Sequence, residues 1–221
     1  MLTAKETYQA ILSGIEIANN NYLDMTGGWS ISQSGPESLI SAAVAKSLYD
    51  AGCEKDERCF VSLETGFKML RDLSGKSGER GRIPTLLKNG QRADIVYWHK
   101  RDFPIGIVEV KRQFGYSNLS KDVDRSAKLI EKYGVLNKGT FRWAAFAATR
   151  DREEEIDNDA GCMNEEAEEV FRTTLEDFME KSKSAYPEFK FQGGIRINSK
   201  DWDGYRYWQC GYAVVMTPKS R

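Results

Sequence analysis

The sequence predicts a mixed α/β fold in which helices cover a sheet, and three observations support it. Apolar residues recur at helical spacing in four segments, at about 3–20, 37–51, 120–133 and 164–183. Three other runs, 59–67, 92–99 and 103–112, are rich in β-branched and aromatic residues, as strands are. From residue 37 to residue 148 the order is helix, three strands, helix, strand, which favours a sheet with helices packed on it.

The length and composition are those of one ordinary globular domain. The chain has 221 residues, of which 40% are hydrophobic and 29% charged. We expect a single domain over 1–221, with a core at about 37–148 and additions at 1–36 and 149–221. No apolar run is long enough to span a membrane, and the first residues lack the pattern of a signal peptide. A cytoplasmic location is therefore expected.

The helix boundaries are predicted from local signals. Ser34-Gly-Pro-Glu37 has the pattern of a capping box at the start of the second helix, and Gly52 is predicted to end it. The run 140–148 is compatible with a buried strand or a short helix, and its three aromatics favour a strand. The runs 189–198 and 205–216 alternate as a β-hairpin or two edge strands do, so the C-terminal addition is a helix plus this pair.

The residue types exclude several kinds of catalytic site. The four cysteines are scattered without a C-x-x-C pair, and His99 is the only histidine. A zinc site of Cys and His ligands is therefore not expected, and neither is hydrolase chemistry that needs a histidine base. Catalysis by this chain would depend on carboxylates and lysine.

A predicted hairpin brings two carboxylates and a lysine together. If the turn after His99 centres on residues 101–102, Asp94 lies directly across from Glu109. Lys111 is two residues further along the same strand, so all three side chains share one face of the sheet. The rest of that face is predicted to be apolar, through the side chains of Val96, Trp98, Ile105 and Ile107.

Opposed carboxylates repel each other, and a divalent cation would relieve the repulsion. Mg²⁺ takes a few carboxylate oxygens, together with waters and substrate phosphate oxygens. Lys111 beside it would orient or deprotonate an attacking water, or stabilise charge in the transition state. The alternative is that Asp94 and Glu109 form ordinary surface ion pairs with Arg92 or Lys111, and spacing alone does not decide between the two.

The sequence Asp94-Ile-Val, followed by Glu109-Val-Lys111, resembles the signature of the PD-(D/E)xK nucleases. The predicted order of elements resembles the αβββαβ core of that restriction-endonuclease-like family, over about half the chain. The resemblance implies a Mg²⁺-dependent nuclease acting on DNA, with Mn²⁺ as a substitute. One departure is that Ala93 stands where the motif often has proline.

The resemblance also implies roles for individual residues. Asp94 and Glu109 would bind the metal, Val110 would contribute its backbone carbonyl, and Lys111 would assist the water. Many members add a glutamate from the first core helix, which here is Glu37. Glu64, near the end of the first strand, is a further candidate ligand, although a solvated side chain is the simpler explanation. Gln113 is a candidate polar neighbour if the strand continues past Lys111.

Charge is unevenly distributed although the net charge is only −1. Residues 68–92 carry seven Lys or Arg and two acids, and we expect them to contact phosphates next to the site. The candidate contacts are Lys76, Arg80, Arg82, Lys88 and Arg92. Lys121, Arg125 and Lys128 on the third helix would extend this basic surface. Residues 151–169 carry ten acids and one Arg, which would repel nucleic acid, so we expect them away from the cleft, as a solvated face or in contact with a basic protein partner.

Two further expectations concern partners and alternatives. The C-terminal aromatics would either stack on bases or pack within the hairpin, and packing is the commoner role. These aromatics are Trp202, Tyr205, Tyr207, Trp208 and Tyr212. Cleavage of both DNA strands would be served by a homodimer, although the sequence shows no dedicated interface motif. The alternative function is a catalytically inactive nuclease-fold module that binds nucleic acid or a protein.

Overall fold

The computed structural model describes residues 1–55, 59–75, 87, 91–99, 102–155, 163–202 and 205–219. In this part of the chain six α-helices accompany a mixed six-stranded sheet. The helices are α1 (Ala4–Thr26), α2 (Ile31–Ser34), α3 (Glu37–Glu54), α4 (Phe67–Leu73), α5 (Tyr116–Tyr133) and α6 (Met163–Ala185). The strands are β1 (Cys59–Gly66), β2 (Arg92–His99), β3 (Phe103–Lys111), β4 (Trp143–Glu155), β5 (Phe189–Trp202) and β6 (Tyr205–Pro218).

The sheet has the order β1-β2-β3-β4-β6-β5. Neighbouring strands are antiparallel except β3 and β4, which run parallel because α5 makes the crossover between them. Helices α1 and α3 cover one face of the sheet, and α5 and α6 cover the other. The two faces therefore bury separate apolar clusters, which explains the nearly continuous apolar character of β3 and of the first half of β4.

Most predicted elements are present, with some changes at their ends. The first helix is longer than predicted, and Thr3 and Glu6 form a reciprocal capping box at its start. The run at 140–148 is a strand, and the C-terminal runs form the hairpin β5–β6. Helices α2 and α4 were not predicted from the sequence. Each is too short for apolar periodicity to be recognised.

The predicted capping box at Ser34 to Glu37 is wrong. Ser34 is the last residue of α2, and the residue that caps α3 is Pro36, which makes no side-chain hydrogen bond. Ser30 caps α2 instead, and its hydroxyl accepts the backbone N–H of Gln33 at 3.3 Å. Gly52 also does not end α3, which continues to Glu54. The carboxylate of Glu37 is thereby left available for a long-range contact.

A β-bulge in the β2–β3 hairpin shifts its register. Ile95 pairs with Val108 and Tyr97 with Gly106, but beyond the shift Trp98 pairs with Pro104. The pairs on the Asp94 side match the predicted register. On the other side, Ile105 turns to the face covered by α1 and α3, so its predicted place beside Val96 and Trp98 is wrong.

No helix in the described ranges is both long and apolar enough to cross a membrane.

Candidate active site

The backbone brings Asp94, Glu109 and Lys111 to one end of the β2–β3 hairpin, on the face covered by α5. Continuing the Ile95–Val108 pairing sets Asp94 against Glu109, and Lys111 is the last residue of β3. Asp94 Oδ2 accepts the backbone N–H of Val110 at 2.7 Å, which ties the carboxylate of β2 to β3. The three residues predicted from the motif therefore converge.

Glu109 is almost fully buried. Its side chain is 1% exposed, and Oε1 has no hydrogen bond of good geometry although a guanidinium nitrogen of Arg125 lies 2.8 Å away. The pKa of Glu109 is raised to about 8, mainly by burial and also by the nearby carboxylates of Asp94 and Asp122, while Arg125 acts in the opposite direction. A buried carboxyl with an unsatisfied oxygen is a group that a cation would stabilise.

The pKa of Asp94 is also raised. Burial is the main cause, and the neighbouring carboxylates of Glu64 and Asp122 add to it, whereas the Val110 N–H and Lys111 lower it. Glu64 lies between the Leu63–Ile95 and Thr65–Ala93 pairs, which sets it beside Asp94. It is exposed and has a left-handed backbone, with φ at 52°. Glu64 is thus near the site but at its solvent side.

Lys111 is a half-buried cation among carboxylates. Burial alone would lower its pKa, but the negative charges of Asp122, Asp94, Glu37 and Glu109 together raise it. Its Nζ donates to the Val110 carbonyl at 3.1 Å and lies 3.6 Å from Asp122 Oδ2. A lysine held in its charged form suits electrostatic stabilisation or orientation of a water better than proton abstraction.

Glu37 reaches the site from the first turn of α3. Its Oε1 accepts the backbone N–H of Arg112 at 3.1 Å, so it contacts the chain directly after Lys111. A cavity of about 380 Å³ opens here. Its walls are formed by Ser32, Gln33, Glu37, Lys111, Arg112, Gln113 and Asn118. Because β3 ends at Lys111, Gln113 lies beyond the strand, so the condition for its place on the strand face is not met, although it does line the cavity.

Two residues of α5 belong to the site and were missed as site residues. Asp122 is 6% exposed, and its Oδ1 lies 2.7 Å from the Arg125 guanidinium, which also contacts Glu109. Arg125 packs over the ring of Phe67 as well. Arg125 therefore does not lie on an exposed basic surface, although the sequence predicted that it would. The signal for Asp122 was present in the sequence, because it lies among Leu119, Val123 and Ser126 on the buried side of the helix.

Other predicted contacts are placed differently or not described. Lys76, Arg80, Arg82 and Lys88 lie outside the described residues, whereas Arg92 is exposed at the start of β2. Trp208 and Tyr212 are buried in the core, so packing is their role. The side chains of Trp202 and Tyr205 lie outside the described part. In the acidic segment, Asp151 is half-buried and accepts the Ser30 hydroxyl, so the segment is not a uniform solvated face.

The residues around Glu109 suit a magnesium ion in part. The carboxylates of half-buried Asp94 and buried Glu109, both with raised pKa values, and the Val110 carbonyl that Lys111 contacts are oxygen ligands of the kind that Mg²⁺ takes. Among the described residues no group of three or more His, Cys, Asp or Glu side chains is placed so that it could hold a metal ion. Mg²⁺ commonly completes its coordination with waters and substrate phosphates, which fits an incomplete set of protein ligands.

Comparisons of this chain with protein-family models, with curated proteins and with solved structures give no match.

Proposed function

We propose that this protein is a Mg²⁺-dependent nuclease that hydrolyses phosphodiester bonds of DNA. The observation that carries the proposal is the convergence of Asp94, Glu109 and Lys111 at the end of one hairpin, beside an open polar cavity. A phosphate in that cavity would meet the Lys111 ammonium, which itself interacts with the carboxylates of Asp94 and Glu109. This is the combination that water attack on a phosphodiester requires.

Asp94, Glu109 and the Val110 carbonyl would hold the metal, with Glu64 as an outer ligand. When bound, Mg²⁺ would make a water more acidic and offset the negative charge of the phosphate. Mn²⁺ would substitute, because it accepts the same oxygen ligands. Burial favours the protonated form of Glu109, and the side chain would have to lose that proton to bind the metal. Metal uptake would therefore release a proton at neutral pH.

The remaining residues act on the water and the phosphate. Lys111 stabilises the charge that develops on the phosphate oxygens, since its ammonium is held protonated by the surrounding carboxylates. Glu37 positions the backbone after Lys111 through the Arg112 N–H, and it supplies a further oxygen at the cavity wall. Arg92, exposed at the start of β2, is placed to contact a neighbouring phosphate.

The order of elements supports the proposal. Apart from the short α4, the run α3-β1-β2-β3-α5-β4 has the helix and strand order of the PD-(D/E)xK core, with the motif residues on β2 and β3. Strands β3 and β4 pair in parallel through the crossover by α5. The element order is thus the one on which the sequence resemblance was based, and it supports the proposal.

A second candidate function is a catalytically inactive module of the same fold, which binds nucleic acid or a protein partner. The observation in its favour is Arg125, whose guanidinium lies where a metal would neutralise Glu109 and Asp122. A site neutralised by its own arginine has less need of a cation. Binding of DNA that is unaffected by chelator, with no cleavage, would support this function.

The test compares DNA degradation by the parent protein and by Asp94→Asn, Glu109→Gln and Lys111→Ala, with Mg²⁺, with Mn²⁺ and with chelator. We expect metal-dependent cleavage that each substitution reduces by a factor of about 100 or more. Asp177→Asn and Lys181→Ala are matched controls, since these residues form an exposed ion pair on α6. Cleavage at the parent rate by all three site variants would disprove the proposal.

A further inference from the structure

A second cavity adjoins the one at Lys111. It has a volume of about 570 Å³, which is within the range of small-molecule sites. Ser32, Gln33 and Gln113 line both cavities, so the two are neighbours along one surface that begins at Lys111. The far wall of the second cavity is formed by β4 and β6, through residues that include Arg150, Asp151, Tyr207 and Gln209.

The near wall is held in place by a buried contact. The hydroxyl of Ser30 donates to Asp151 Oδ2 and lies 3.2 Å from the Ser32 hydroxyl, which joins the start of α2 to β4. Burial raises the pKa of Asp151, and the hydrogen bonds from Ser30 and Ser32 partly offset that effect. Because α2 is fixed to the sheet in this way, Gln33 is held at the boundary between the two cavities.

The sheet leaves an open edge at this cavity. Strand β3 ends opposite Ala148, whereas β4 continues to Glu155 and pairs there with β6 alone in the described part of the chain. Phe114 N–H still donates to the Thr149 carbonyl, and β4 then passes into the cavity wall. Backbone donors and acceptors of Asp151 to Glu153 are therefore near a ligand that enters the cavity.

The side chains of the cavity suit a flat heterocycle with donors and acceptors on its edge. Gln33, Gln113 and Gln209 each carry an amide that can both donate and accept, as the edge of a nucleobase does. The half-buried ring of Tyr207 provides a surface for stacking. Arg150 is exposed and contacts Thr174 through one guanidinium nitrogen, which leaves further N–H groups for a phosphate.

We propose that the second cavity binds one unpaired nucleobase of the DNA strand whose phosphate lies at Lys111. This inference rests on the proposed nuclease function and specifies its substrate as single-stranded DNA, or a strand with an unpaired nucleotide at the cleaved bond. A base within a duplex is stacked and paired, so its Watson–Crick edge and both faces are not available to a concave site of this kind.

The test separates this inference from the nuclease function by measuring binding in chelator, where the proposed metal-dependent cleavage does not occur. Fluorescence anisotropy compares a short labelled single-stranded oligonucleotide with its blunt duplex. We expect the parent protein to bind the single strand more tightly. The double variant Gln33→Ala/Gln113→Ala should lose affinity for the single strand about tenfold, as expected for two lost hydrogen bonds. Its affinity for the duplex should change little.

The control is Gln9→Ala/Gln192→Ala, which removes two exposed amides elsewhere and should bind as the parent does. Competition with deoxyadenosine monophosphate and with deoxyribose 5-phosphate then isolates the contribution of the base, and we expect the nucleotide to compete more strongly.

Equal competition by the two compounds, or unchanged single-strand binding by the Gln33/Gln113 variant, would overturn the proposal. Cleavage with no base dependence would leave the nuclease function intact. Base-dependent binding without cleavage would support the pocket and reject the nuclease function.

Discussion

The guanidinium of Arg125 lies 2.8 Å from Oε1 of Glu109, within a patch of carboxylates that otherwise repel one another. The same nitrogen is 2.7 Å from Asp122 Oδ1, so one cation contacts two acids of the patch. Arg125 therefore takes the electrostatic role that a divalent metal would have. The arginine and the metal would compete for the same negative charge.

Substitution of Arg125 by alanine should lower the stability of the metal-free protein. The change removes the guanidinium from buried Glu109 and leaves Asp122 with Lys111 alone, 3.6 Å away, and breaking a buried pair in this way costs about 3 kcal/mol in the free energy of unfolding. Mg²⁺ should stabilise Arg125→Ala more than it stabilises the parent. Urea denaturation with and without Mg²⁺ measures both effects. Lys181→Ala, in an exposed pair, should change stability little. An Arg125→Ala protein as stable as the parent without metal would contradict this account.

The raised pKa of Glu109 predicts a pH-dependent stability without metal. Between 4.5 and about 8 the unfolded chain has lost the Glu109 proton while the native protein retains it. The native state then binds more protons, so the free energy of unfolding contributed by this group falls as pH rises through the window. Glu109→Gln cannot ionise, so its stability relative to the parent should increase as pH rises. Thermal unfolding across this range measures the difference.

Glu180→Gln, at an exposed position, is the control for that experiment. Its stability should differ little from that of the parent at every pH in the range. A Glu109→Gln difference that is independent of pH would show that the native carboxyl titrates as in the unfolded chain.

Because Gly106 of β3 has no side chain, the indole of Trp143 on β4 can pack directly against it. A Cβ at Gly106 would lie 2.2 Å from a ring carbon of Trp143, which is buried. Gly106→Ala should therefore destabilise the protein by about 2 kcal/mol, because the indole has little room to move. Gly66→Ala is the matched control, since a Cβ there meets no atom within 4 Å. Equal denaturation midpoints for the two variants would rule out this close packing.

Arg92 provides a test of the DNA path outside the metal centre. The logarithm of DNA affinity falls linearly with the logarithm of salt concentration. If the Arg92 guanidinium contacts a phosphate, Arg92→Ala should reduce the magnitude of that slope by about one. Binding titrations at several salt concentrations, in chelator, measure the slope. Lys190→Ala removes an exposed charge on β5 and should leave it unchanged. An unchanged slope for Arg92→Ala would remove Arg92 from the interface.

The local patterns were sufficient for much of the fold. The length of the turn in the β2–β3 hairpin predicted the register beside Asp94, because a short connection determines which residues lie opposite each other. The same reasoning placed Ile105 on the wrong face, because the bulge after Tyr97 has no signature in the residues themselves. Ser34 was misassigned for a related reason. A capping pattern does not reveal whether another helix already uses the serine.

Apart from the short α2 and α4, the sequence by itself determined the helix and strand order and the grouping of Asp94, Glu109 and Lys111. These follow from contacts between residues near in the chain or joined by one tight turn. Only the tertiary structure decided that Arg125 and Asp122 complete the patch, that Glu37 contacts the Arg112 backbone, and that α2 is fixed to β4 through Ser30 and Asp151. Those contacts join separate elements. Their partners depend on how helices pack on the sheet, which periodicity within one segment does not specify.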